Sequence, residues 1–235
     1  MVNLDSEQFE LQNDYELIQS WFMDQGWGDG LPIVPPTLDR VERMLRGTGM
    51  PPDQIVGEIP PNYGSATVER VAINSVMAGC LPEYLPVVLA AVEAISDPAF
   101  NLYGIQATTH SCAPLVIVNG PIRESLGMNS SSGAYGPGWR SNATIGRAVR
   151  LVLLNIGGGY PGTGDMSTQG APSKYTYCVA ENEEANPWLP LHVERGFQKD
   201  ESTVTVLAAE PPHNINDHSG RSAEDILTLV AGAMA

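Results

Sequence analysis

His110 and Cys112 stand two residues apart in Thr108-Thr109-His110-Ser111-Cys112, just ahead of an apolar run from Leu115 to Val118. On an extended backbone both side chains leave the same side. An imidazole beside a thiol can lower the thiol's pKa and make it a nucleophile, although free cysteine is also a common inert core residue. His192, Glu194 and, further on, His213 supply two imidazoles and a carboxylate, donors that suit a divalent metal. Their spacing matches no specific metal motif, so exposed loop histidines are the competing reading. Asp165 and Gln169 lie in the glycine-rich GTGDMSTQG, where a carboxylate can act as general base or simply form an Asx turn. Together these residues make His110, Cys112, Asp165 and His192 the catalytic candidates. The acidic run that contains Glu183 and Glu184 reads as a solvated face.

A second group points to an anion. The loop 128–141, MNSSSGAYGPGWRS, runs into an expected helix from Asn142 to about Asn155. Unpaired N–H groups and the dipole at such a start favour negative charge. Arg140, Ser141, Asn142 and Arg147, with Gln169, are therefore the candidate ligands for a substrate carboxylate or phosphate, the alternative being an ordinary N-cap with surface arginines. No Gly-Lys-Ser/Thr follows these glycines, so the loop is not a triphosphate cradle. Gly157-Gly158-Gly159 follows a helix and not a strand, so NAD and FAD have no signature. A pyridoxal phosphate (PLP) enzyme would have to use Lys174 or Lys199, the only lysines. The cofactor expectation is thus open, with a divalent metal as the one candidate.

Helical periodicity appears at Leu17, Ile18, Trp21 and Phe22 after a cap at Asn13, and again in a short helix after Thr37. The pattern predicts a strand at 54–59, helices at 66–78 and 82–95, short strands at 105–109 and 115–118, and further strands at 175–180 and 203–208. Ser222 and Asp225 form a capping-box signature for a last helix. The class is α/β: a mixed sheet covered by helices, in a single domain over 1–235 with long polar loops. Loops this long, at 128–141, 157–173 and 181–202, are uncommon unless functional or mobile. Helix 82–95 is apolar on several faces and requires either a three-layer core or another subunit, so a homo-oligomer or heteromeric partner is expected.

Composition narrows the partners. The net charge of −15 arises from 27 acidic and 12 basic residues, which disfavours nucleic acid and anionic membranes. No secretory signal or long apolar span is visible, and three scattered cysteines suggest free thiols, so a cytoplasmic location is expected. The segments DGLPIVPPT (29–37), VAINSVMAGCLPEYLPVVLAAVEAI (71–95) and DMSTQGAPSKYTYCVAENEEANPW (165–188) resemble a bacterial family associated with proteins carrying a UGSC selenocysteine or cysteine motif. The resemblance covers most of the chain and implies a bacterial intracellular enzyme or enzyme subunit; no Cys-Gly-Ser-Cys is present here. The functional expectation is an enzyme of lyase or hydrolase type acting on a small anionic substrate by His-assisted proton transfer, the alternative being a non-catalytic subunit.

Overall fold

The computed structural model describes residues 4–234. Helix α1 (Tyr15–Asp24) starts at Asp14, whose carboxylate accepts the Leu17 N–H at 3.0 Å, one residue later than the expected cap. Helix α2 (Leu38–Leu45) follows the proline-rich segment, and strand β1 (Ile55–Ile59) pairs antiparallel with β2 (Gly64–Thr67). The sequence pattern had absorbed the end of β2 into the next helix. That helix, α3 (Val68–Ala78), is capped by the Thr67 hydroxyl and stopped by Gly79 in the left-handed region.

Helix α4 (Leu85–Ser96) is the innermost element. Leu85, Val88, Val92 and Ile95 are all fully buried, and Val87 and Leu89 nearly so. Each such side chain contributes about 1.5–3 kcal/mol on burial. The chain's own layers thus satisfy α4, and its apolar faces do not call for a second subunit. Helix α5 (Leu102–Ala107) replaces the strand expected at 105–109: Asn101, in the left-handed region, caps it by accepting the Gly104 N–H. The β-branched pair Thr108-Thr109 misled the pattern, because capping overrides weak local propensity.

Strand β3 (Ala113–Asn119) is the centre of a three-stranded sheet, followed by the short α6 (Ile122–Ser125) and the long α7 (Arg140–Asn155). Strand β4 (Cys178–Ala180) pairs parallel to β3, with Val116 opposite Cys178 and Val118 opposite Ala180. It is shorter than the expected 175–180 because residues 172–174 form a 3-10 turn. After α8 (Leu191–Glu194), strand β5 (Thr203–Ala209) pairs antiparallel on the other side, with Ala113 opposite Ala209 and Asn119 opposite Thr203. The mixed α/β class is as expected, with small sheets packed on helices. Helix α7 lies close on β4 because Gly146 has no side chain; a Cβ there would sit 2.6 Å from the Tyr177 nitrogen.

The last helix, α9 (Ala223–Met234), begins with the reciprocal capping box of Ser222 and Asp225, and none of its residues is buried. No single described helix is long and apolar enough to cross a membrane. All three cysteines are free thiols. Because β3 and β4 run parallel while β5 runs back, one sheet edge gathers Asn119, the residues after Ala180, and Thr203. The opposite edge gathers the approach to Ala113 and the exit from Ala209.

Candidate functional site

At the edge where β3 and β4 end, Asn119 is fully buried. Its Nδ2 donates to the carboxylates of Glu181 and Glu183, the latter at 3.0 Å. The Gly120 N–H reaches Glu183 at 2.8 Å, in a backbone turn with φ of 81° pressed against the Glu201 carbonyl, where a Cβ has no room. Arg123, on α6, lies 3.0 Å from Glu183 and 2.8 Å from Glu184, and it donates to the Glu181 carbonyl at 2.9 Å. Burial disfavours its charge, but Glu184 and Glu183 outweigh that and raise its pKa. Glu181 is held by the Leu191 N–H at 2.8 Å and the Asn186 amide at 2.7 Å in addition to Asn119. Burial opposes its ionisation, yet these donors prevail and keep its carboxyl below the ordinary carboxylate range.

His192, on α8, is 1% exposed. Its Nε2 lies 3.4 Å from the Lys199 carbonyl, which can only accept, so that nitrogen carries the proton. Nδ1 sits 3.9 Å from Glu183 and has no hydrogen-bond partner. Asn119 Oδ1 and Thr203 Oγ1, which belong to residues paired across β3 and β5, are likewise buried without partners. In front of this network opens a groove of ≈ 870 Å³ lined by Glu181, Asn186, Trp188, Leu189, Leu191 and Glu194, with Pro187. The Trp188 ring is 81% exposed and Leu189 62%. An ionised, rigidly held carboxylate, an indole face and an apolar wall are the complement of an organic cation.

The opposite edge holds different groups. His110 Nδ1 pairs with the Glu210 carboxylate at 2.7 Å, with both side chains more than half exposed. Cys112 is partly buried beside it in sequence. Loop 157–174 is brought here by the bonds from Met166 N to Gln106 O (2.9 Å) and from Thr168 N to Thr109 O (3.0 Å), so the exposed Gln169 belongs to this edge. A pocket of ≈ 90 Å³ between Tyr103, Gln106, Thr163 and Met166 contains little more than room for water. Asp165 is no free base: one oxygen meets Lys174 at 2.8 Å and Arg150 at 3.2 Å, and the other accepts the Ser167 N–H.

The expected anion ligands on α7 already have partners in the chain. Arg140 donates twice to the Gly79 carbonyl, closing the end of α3. Arg147 grips both oxygens of Asp29 at 2.7 and 2.8 Å and also reaches the Pro32 carbonyl. Ser141 bonds to the Gly127 carbonyl, and the Asn142 amide exchanges two bonds with the Asn129 backbone. The expected metal trio is not assembled. His192 and Glu194 share a helical turn, where residues two apart face different directions, and His213 is exposed on the segment after β5. Among the described residues no group of three or more His, Cys, Asp or Glu is placed to hold a metal.

The sequence thus marked His192 and Glu194 but set Glu183 aside as surface, although its side chain is 9% exposed. Its partners Asn119 and Arg123 lie about sixty residues upstream, and only the parallel pairing of β3 with β4 joins them. Nor do the three long loops converge on one pocket: 157–173 serves one sheet edge and 181–202 the other. No family model, curated protein or solved structure matches the chain.

Proposed function

We propose that this protein is a small-molecule enzyme, or the substrate-binding subunit of one, whose 181–194 groove takes a substrate bearing a positively charged nitrogen. The observation that carries this reading is Glu181, an acid on the groove lining kept ionised by three N–H donors. Its pKa direction suits electrostatic holding of a cation better than proton abstraction, which requires a base nearer neutrality. Trp188 offers the face on which such a cation rests. The substrate charge differs from the anion expected from sequence, because Arg140 and Arg147 are engaged within the chain.

The enzymatic part rests on the orphaned polar atoms behind the groove, His192 Nδ1, Asn119 Oδ1 and Thr203 Oγ1. Each buried polar atom without a partner forgoes about 1–3 kcal/mol. Clusters of such atoms suit sites that move protons, with His192 as the group able to exchange one. Small amines and tetramethylammonium should bind saturably in calorimetry, and uncharged tert-butanol should not. Losing a desolvated charge pair costs about 2–5 kcal/mol against about 0–1 kcal/mol for an exposed one, so Glu181→Gln should weaken amine binding by more than about tenfold with the fold intact by circular dichroism. Undiminished binding in that variant would reject the groove as the site. A docking subunit remains the second reading, and one observation favours it: α9 leaves Ile226, Leu227 and Leu229 exposed.

A further inference from the structure

Along α7 and the loops beside it lie the side chains of Arg147, Arg150, Lys174, Asp29 and Asp165, each 14% exposed or less. Arg147 takes both oxygens of Asp29. That leaves Asp165 as the sole carboxylate for two cations, Arg150 and Lys174, which meet it at the same oxygen. The cluster therefore holds one positive charge in excess, within a molecule of net charge −15. Among the described residues only Nη2 of the Arg150 guanidinium has partners, Asp165 at 3.2 Å and the Gly159 carbonyl at 3.3 Å; the contacts are long for charge-assisted bonds. Burial pushes the Arg150 pKa down despite the attraction of Asp165 and Asp29, which agrees with a cation its neighbours do not fully compensate.

We infer that Arg150 and Lys174 form a second ligand site that takes a small oxyanion such as a carboxylate or phosphate. The guanidinium is a planar fork of donors and the ammonium has donors only; an acceptor-rich anion satisfies both and cancels the extra charge. No helix start is involved, and no residue is shared with the 181–194 groove. Failure of one site therefore leaves the other standing.

The two lysines allow a direct test on the whole protein, because Lys199 is exposed and serves as an internal control. Reductive methylation followed by mass spectrometry is run in chloride, phosphate or acetate at equal ionic strength. Binding at ten times the dissociation constant should slow labelling of Lys174 about tenfold and leave Lys199 unchanged. Protection by acetate alone identifies a carboxylate site, and by phosphate alone a phosphate site; either supports the assignment. Arg150→Met should abolish the protection, and Arg150→Lys, which keeps the charge and fold but loses the fork, should weaken it. Equal labelling in all three salts, equal slowing of both lysines, or undiminished protection in Arg150→Met would overturn it.

Discussion

Among the described residues the Asp29 carboxylate, 3% exposed, is the one that forms an ion pair with Arg147. Removing one partner of a buried pair leaves the other charge uncompensated, at a cost of about 3–5 kcal/mol. Asp29→Asn should therefore lower the unfolding free energy from urea titration by that amount, whereas Asp39→Asn, at an exposed position of α2, should change it by less than about 1 kcal/mol. Glu181 sets an acid limit. Its folded pKa is lower than its unfolded one, so its contribution is complete above the ordinary value of 4.5 and disappears as pH falls below it. A stability series below about pH 5 should have a shallower acid slope in Glu181→Gln than in the native protein. Sequence legibility at this scale was partial. His192 and Glu194 stood out by chemical type, but the burial of Glu183, Asn119 and Arg123 depends on contacts between distant segments that no local pattern encodes. Asp29 gave no signal, since an Asp between glycines reads as a turn.

At the scale of elements, α7 organises the loops. Arg140, Arg147 and Arg150 recur along one stripe at helical spacing. Each reaches a different segment: the end of α3, the 29–32 turn and the 157–174 loop. Arg140 and Arg147 were legible as positive charge near a helix start, whereas the destinations of the three arginines were not, because the partners are carbonyls and isolated aspartates. Helix α4 was legible as a buried apolar helix, and α5 was not, since six residues hold too little periodicity to outweigh β-branched neighbours. Helix α9 makes the opposite case. A 12-residue helix with no buried residue has little packing to stabilise it, and isolated helices of that length are marginal in water. Truncation after Arg221 should leave the melting temperature within about 2 °C of the full chain, which corresponds to less than about 1 kcal/mol in a protein of this size. A larger fall would show that α9 packs on the body of the protein after all.

Across the whole molecule, the fold class followed from the alternation of apolar runs with long polar loops, but the connection that matters, β3 beside β4, joins residues some sixty apart. That pairing separates the chemistry into two edges, with His110 and Glu210 at one and His192 and Glu183 at the other. The indole rings are partitioned in a similar way. Trp21 and Trp27 meet edge to face at 5.3 Å inside a knot of rings that includes Phe9 and Phe22, while Trp188 lies open to solvent at the mouth of the groove. Light therefore reports on the two regions separately. The packed indoles give coupled ultraviolet dichroism that registers whether the amino-terminal segment is seated; once Trp139, 40% exposed at the start of α7, is replaced by phenylalanine, the long-wavelength emission belongs to Trp188 and is quenched by any solute that enters beside Glu181.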